Sequence, residues 1–383
     1  MINLGILTAH HYPRLGGMEY AVHYMASELH KNNHVQISIS CNSLKGIPKD
    51  FQYSYNCYRS KSFSYLTPWL FKYNQNKMIK EQHINLLHGP MLHGGGYYCY
   101  KQKLKCDIPF IAHSHGADVQ VAKEIGYGAL LDSDLKRRIK KVVKHADHLI
   151  AVSENNKQNM MDIGADENKI SVIYNGIQIE RINKTPFQNQ RMLWGIEEDD
   201  FLIITVGRNK PVKRMTLLFE ALKKLKGYKK IKCICVGPIQ DLEQLAEKYN
   251  MHDSVIFTGQ IPENHNINRQ SPYPELINLY RSSNIYISTS YVESFGNAAA
   301  DALACGIPVI VGKKHGVRDI IIEDQTGWVM DEETPSYLAD MILDLYHKKE
   351  SLKNNRAMIN QSVGHLTWEN IAKQMINVYR NIV

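Results

Sequence analysis

The stretch ESFGNAAADALACGIPVIV, residues 293–311, sets an acid before a turn, a second acid eight positions on, and an apolar run at its end. The preceding NIYISTS reads as a strand and YVESFG as a loop. NAAADALAC then reads as a helix that Gly306 closes before Pro308 opens the next strand. That is one strand–helix–strand unit of a parallel sheet, and the same rhythm runs outward in both directions. INLGIL, VQISIS, INLLHG, PFIAHSH and HLIAVS precede it as one set, and FLIITVG, IKCICVG, SVIFTG, IYISTS and PVIVG form a second. Between the sets NKTPFQNQRMLWGIEEDD is polar and carries no strand pattern, which puts a linker near residues 178–198. The fold class is therefore α/β, with two Rossmann-like, doubly wound domains. The ligand is expected where the carboxyl ends of both sheets face a central cleft. Neither half has GxGxxG after its first strand, which disfavours a dinucleotide-dependent dehydrogenase.

A chain of 383 residues exceeds one hydrophobic core and suits two domains. No apolar run approaches the roughly 18 to 20 residues of a membrane-spanning helix, and MINLGILTAHHYP lacks the basic start of a signal peptide, so a cytoplasmic protein is expected. The seven cysteines (41, 57, 99, 106, 233, 235 and 305) contain no CxxC pair and read as reduced and mostly buried. The formal charge of +8 favours acidic partners. Its densest block is LKRRIKKVVKH, where Leu135, Ile139 and Val143 recur at helical spacing and leave a wet basic face. That face is either the solvated side of a core helix or, through Lys136, Arg137, Lys140 and Lys141, a contact with an anionic membrane surface. Nucleic acid is not expected, because no aromatic residue interleaves with the block.

The chemistry of residues 293–301 follows from the helix start. First-turn N–H groups around Phe295 to Asn297 precede any intrahelical carbonyl and sit at the positive end of the macrodipole, a ready anion site. Glu293 stands just ahead of it and Asp301 one turn inside, about 6 Å along the axis from Asn297. Carboxylates accept hydrogen bonds from hydroxyls, so the fitting ligand carries phosphate and vicinal hydroxyls together, as a nucleotide sugar does. The same residues also read as an Asn297 N-cap, an Asp301 complementing the dipole and a surface Glu293.

The pattern Glu, seven residues, acid, small-residue helix and CGIPVIV resembles the retaining glycosyltransferases of family 4 (glycosyl transferases group 1), which have the GT-B fold. Further blocks fall in that family's order: RLGGMEYAVHYMASEL at 14–29, HSHGAD at 113–118, AVSEN at 151–155, VIYNGI at 172–177, VGRNKPVKRMTLLFEAL at 206–222, VIFTGQI at 255–261 and TWENIAKQMINVY near the end. The resemblance implies a first domain at 1–182, on the acceptor side, completed by a returning C-terminal helix at 366–383. It implies a nucleotide-sugar-binding domain at 183–365. It also implies a hexosyltransferase that moves a sugar, with retention, from a UDP-sugar or next a GDP-sugar to a hydroxyl of a glycan or lipid-linked acceptor. Bacterial cell-envelope polysaccharide synthesis is the implied setting, at the inner face of the membrane.

For single residues, the resemblance makes Glu293, His115, Arg208 and Lys213 catalytic. It puts Gly16, Gly17, Ile261, Ser294, Phe295, Gly296, Asn297 and Asp301 with them around the donor. Arg208 and Lys213 would hold the diphosphate, one by a fork and one as a point charge, with no metal and no cofactor. His115 would touch the transferred sugar, and Asp118 would orient it or the acceptor. His10 belongs to the acceptor side, and His11, His88 and His93 also end strands there without a metal-ligand spacing. One departure concerns Asp301, where the family usually has Glu; it bears on nucleotide affinity. A nucleotide-sugar epimerase and a non-catalytic nucleotide-sugar or glycan-binding module are the alternative readings, separated by whether the sugar reaches an acceptor.

Overall fold

A computed structural model describes the chain apart from residues 15, 43–51, 61–66, 239–241, 252 and 262–270. Leu15 of the RLGG block thus lies outside the described residues. The chain divides into two compact units, 1–176 with 366–383, and 177–365.

The first unit holds a seven-stranded parallel sheet: β1 Ile2–Leu7, β2 Val35–Asn42, β3 Asn56–Ser60, β4 Leu86–Pro90, β5 Phe110–Ser114, β6 His148–Ala151 and β7 Ile170–Val172, in the order β3-β2-β1-β4-β5-β6-β7. Successive side chains of its strands enter opposite cores. Ile6, Leu86, Ile111 and Ile150 face the cluster built with helices Gly17–His30 and Trp368–Arg380. Their neighbours Leu7, Leu87, Ala112 and Leu149 face a second cluster with Ile139, Val142 and Val143 of helix Ser133–His145. Burial on both faces is why these strands read as continuous apolar runs rather than as alternation. Each fully buried aliphatic side chain contributes about 1.5–3 kcal/mol.

The second unit repeats the plan with six strands: β8 Phe201–Val206, β9 Ile231–Val236, β10 Val255–Gly259, β11 Ile285–Ile287, β12 Val309–Val311 and β13 Gly327–Val329, ordered β10-β9-β8-β11-β12-β13. All its pairings are parallel. In this sheet the order reverses between β8 and β11. The loops that leave their carboxyl ends therefore diverge and frame a crevice, where ligands bind in open α/β sheets.

Two expectations change. Each set of about five strands gains members, β3 and β7 in one sheet and β13 in the other; these edge strands of three to five residues are too short to leave a pattern. The stretch expected as a linker is docked on the second unit instead. Helix Ile179–Lys184 lies within it, Arg281 donates to Ile182 O and Thr185 O, and Arg181 donates to Pro272 O. Buried Arg191 donates to the carbonyls of Ser282, Glu197 and Asp200. The division between units accordingly falls at Gly176, six residues before the expected 182.

Candidate functional site

In the second unit, the loop after β8 carries Arg208 and Lys213, and the loop after β11 carries Glu293. A turn of 3₁₀ helix, Pro211–Lys213, brings Lys213 back over the strand end. Thr289 Oγ1 donates to Lys213 O at 3.2 Å and to Arg214 O at 3.0 Å, and Tyr291 N donates to Val212 O at 2.9 Å. These bonds staple the two loops across the switch point. Arg214 secures the turn from outside, pairing with Glu333 at 2.9 Å and lying 4.6 Å from the centre of the Tyr291 ring.

The result joins a cation and an acid 80 residues apart in sequence: Lys213 Nζ donates to Glu293 Oε1. Ser290 Oγ donates to the same oxygen at 2.9 Å. Both contacts fall on Oε1, and Oε2 has no partner among the described residues, so it remains available to a ligand hydroxyl. Burial is the largest single influence on this carboxyl and pushes its pKa up. The charges of Lys213 and His315 and the bonds from Lys213 and Ser290 together outweigh it and hold the group below its ordinary 4.5. Glu293 is therefore ionised at neutral pH. A pocket beside this pair is lined by Gly207, Arg208, Lys213, Ser288, Thr289 and Ser290.

Helix Asn297–Ala304 follows, with Gly296 as its cap in the left-handed region at φ 98°; Asn297 is the first helical residue rather than the cap. Ser294 and Asn297 are half-buried, whereas Phe295 is only 2% exposed and belongs to the core, so its backbone alone can meet a ligand. Asp301 is half-buried, its carboxyl makes no hydrogen bond or ion pair among the described residues, and burial pushes its pKa up to about 7. Ile261 sits half-buried in the bend after β10.

Asp301 has a consequence for stability. Its folded pKa of about 7 exceeds its ordinary 3.8, so the unfolded chain gives up this proton more readily. The destabilisation is absent below about pH 4, grows as pH rises and is complete above about pH 7. Asp301→Asn should raise Tm by an increment that increases from pH 4 to pH 7.5, as scanning calorimetry across that range would read. An increment independent of pH would contradict a buried, uncompensated carboxyl.

The first unit places its residues at the carboxyl end of its own sheet. Gly16 caps helix Gly17–His30, and a Cβ there would lie 2.1 Å from Glu19 Oε2, so any larger residue would have to displace the carboxylate that leans over it. Gly17 and His10 are exposed, and His11 is buried with Nε2 2.7 Å from Tyr55 Oη. His115 follows β5 half-buried, its ring 4.1 Å from that of His113, and burial lowers its pKa to about 3. A neutral imidazole at neutral pH can exchange hydrogen bonds with a sugar but cannot serve as an acid there. Asp118 is fully buried and accepts from Ser114 Oγ at 2.8 Å, Gly116 N at 2.9 Å and Leu92 N at 2.8 Å. It thus ties down the loop that carries His115. His88 bonds Tyr379 Oη at 2.9 Å and His113 at 3.3 Å, deep in the core. His93 lies in the turn Met91–Gly96.

Sequence reading missed Ser290, Thr289, Arg214, His315 and Glu333. Arg214 adjoins Lys213 and Ser290 lies three residues before Glu293, a weak signal, while nothing in the spacing joins Glu333 or His315 to them. Among the described residues, the acids grouped closely enough to hold a cation are Glu197, Asp199 and Asp200. They precede β8, at the end of the strand opposite to Lys213. Lys230 pairs with Glu197 and, at 2.9 Å, with Asp199.

Of the cysteines, five are buried, Cys57 is partly so and Cys106 is exposed, and none forms a disulfide. Helix Ser133–His145 buries Ile139, Val142 and Val143 and exposes Lys136, Arg137, Lys140 and Lys141, with Arg137 paired to Asp134. Among the described residues no helix is long and apolar enough to cross a membrane.

Comparison with known proteins covers nearly the whole chain. Residues 15–181 match the family model Glycosyltransferase Family 4, and residues 186–362 match the model Glycosyl transferases group 1. The uncharacterized glycosyltransferase MJ1607 of Methanocaldococcus jannaschii is 28% identical over 290 residues, 72% of this chain and 70% of its own. The D-inositol 3-phosphate glycosyltransferase of Mycolicibacterium smegmatis is 27% identical over 216 residues, 54% of this chain; the match spans 47% of that enzyme. Among solved structures, sucrose-phosphate synthase of Thermosynechococcus elongatus superposes with a TM-score of 0.83 at 21% identity, over 100% of this chain and 99% of that one. Anabaena Alr3699/HepE, solved in complex with UDP, superposes with a TM-score of 0.77 at 18% identity over the whole of both chains. Likeness at these identities establishes the fold.

Proposed function

The chain belongs to the group 1 glycosyltransferases of family 4, with the GT-B fold, and we propose that it moves a hexose from a nucleoside diphosphate sugar to an acceptor hydroxyl with retention and without a metal. UDP is the first expectation for the nucleotide, supported by the UDP and UDP-glucose complexes of Anabaena Alr3699/HepE, and GDP is the second. The acceptor is a glycan or a lipid-linked glycan of cell-envelope synthesis.

The observation that carries this reading is the Lys213–Glu293 pair where the order of the second sheet reverses, with Glu293 pinned by one oxygen and the other without a partner among the described residues. Lys213 has three donors, so it can keep Glu293 and still reach a diphosphate oxygen, while Arg208 adds a fork from the same loop. These cations neutralise the charge that develops as the bond from the anomeric carbon to the phosphate oxygen breaks. The acceptor oxygen bonds to that carbon from the same face, and its proton passes to the departing phosphate. Glu293 Oε2 holds hydroxyls of the sugar, and Asp301 those of the ribose.

The test is incubation with UDP- and GDP-sugars, a membrane glycolipid fraction and excess EDTA, followed by phosphorus NMR and by the anomeric configuration of the product. Acceptor-dependent release of the nucleoside diphosphate with a retained anomer is expected. An epimerised nucleotide sugar, an inverted product or turnover abolished by EDTA would contradict it.

The exposed lysines and arginine of helix Ser133–His145 are proposed to hold the enzyme reversibly on an anionic membrane face. Replacing Lys136, Arg137, Lys140 and Lys141 with Gln should abolish co-sedimentation with phosphatidylglycerol vesicles. Unchanged binding would remove this part of the proposal.

A further inference from the structure

Glu293 is held by residues that the reaction itself does not use. His315, 1% exposed, lies between β12 and the turn Gly316–Ile320, with Nε2 2.7 Å from Ser290 O. A carbonyl only accepts, so Nε2 carries the proton. The backbone on either side of the imidazole grips Glu293 as well. Glu293 N donates to Lys314 O at 3.2 Å, and Gly316 N donates to Glu293 O at 3.0 Å. Residues 314–316 thus fix both backbone groups of Glu293, and through the ring they fix Ser290.

The hydroxyl chain beside it has one direction. The Glu293 carboxylate can only accept, so Ser290 Oγ donates to it at 2.9 Å, and Ser288 Oγ, 3.3 Å away, then donates to Ser290. Ser290 is itself 1% exposed. Every bond in this set runs toward holding Oε1 in place, which leaves the opposite oxygen aimed by the rigidity of its neighbour.

We propose that His315 and Ser290 are positioning residues for the sugar-binding step: the imidazole anchors the Ser290 backbone, and the Ser290 hydroxyl fixes Glu293 Oε1 so that Oε2 is presented to the donor sugar. This rests on the reading that Glu293 serves that sugar. Misplacing a reacting group's partner by about 1 Å costs on the order of 100-fold in rate, so the effect belongs in turnover and not in nucleotide affinity.

His315→Phe keeps a ring and loses the donor; His315→Gln restores an N–H at similar reach. The expected results for His315→Phe are a kcat lowered about 10- to 100-fold and UDP affinity within about twofold of wild type. Most of the loss should be recovered in His315→Gln. Ser290→Ala, which removes one oxygen from a buried site, should show the same split. The acid limb of kcat should also move up in both His315→Phe and Ser290→Ala, because each removes a group that favours the ionised Glu293. The charges acting on Glu293 are Lys213 and His315, and those acting on His315 are Glu293, Lys213 and Glu333. If His315→Phe does not fold, Ser290→Ala reads the second link alone.

Wild-type kcat and acid limb in Ser290→Ala and His315→Phe would overturn the proposal, as would equal losses in His315→Phe and His315→Gln. Glu293→Ala separates the two readings. Normal transfer there defeats the sugar-binding role of Glu293 itself, whereas an inactive Glu293→Ala beside fully active Ser290 and His315 variants defeats only this inference.

Discussion

Glu293→Ala should lose transfer by about 1,000-fold in kcat, the upper range for removing one preorganised polar group from a reacting centre, while folding normally and binding UDP within a few-fold of wild type. The carboxylate is half-buried, and the partner it would leave, Lys213, keeps 31% of its side-chain surface in solvent, so the freed ammonium can be hydrated. Little stability should be lost. Nucleotide affinity should hold because UDP lacks the transferred sugar that Oε2 would meet. Glu293→Gln should recover little, since an amide at this position brings its NH₂ against Lys213 or Ser290 in one of its two orientations. Steady-state kinetics with circular dichroism melts would check the set, and a Glu293→Ala enzyme with more than a tenth of wild-type kcat would contradict it.

Lys213→Ala should fail differently, losing about 100- to 1,000-fold in kcat/KM together with UDP affinity and stability. Two losses combine: the diphosphate forfeits a cation, and Glu293 forfeits the partner that offsets its burial. The sign of the pH effect is fixed. In the wild type the Glu293 pKa lies below its ordinary 4.5, so its stabilisation is present above that value and disappears as pH falls through the lower folded value. The stability gap between wild type and Lys213→Ala should therefore be largest at neutral pH and should close in acid. Lys213→Arg should restore only part of the activity, because the longer guanidinium holds its donors in a fixed plane, whereas the compact ammonium can turn its three donors toward both Oε1 and a phosphate. Calorimetric melts at pH 7 and pH 3.5 would read the gap, and a gap of the same size at both would show that the pair does not stabilise the fold.

The contrast between strand and site explains what the sequence could convey. Strands such as Phe201–Val206 and Ile231–Val236 are buried on both faces and announce themselves as apolar runs, as do the small residues of helix Asn297–Ala304. Strands β7 and β13 span three residues each at a sheet edge, too few for any period to show. The docked segment around Arg191 was read as a linker because its order comes from side chain–carbonyl bonds with residues about 90 positions away. The same reason hid the support of Glu293. Glu293 could be singled out by its place before a helix start, whereas Glu333 reaches Arg214 across 119 residues and His315 reaches Ser290 across 25. Such tertiary partnerships follow no spacing rule. Asp301 stands between these cases: its position was legible, and its raised pKa depends on a burial that only the folded chain creates.

The most direct test of the central claim is a thermal-shift titration of UDP, GDP, ADP and CDP in the presence of excess EDTA. A ligand that binds only the native state raises Tm in proportion to its occupancy. Stabilisation by one nucleoside diphosphate, undiminished by EDTA and lost in Lys213→Ala, is the predicted result. A cooperative melt that none of the four shifts, or a shift that appears only when magnesium is restored, would contradict a donor site built on Lys213, Arg208 and Glu293.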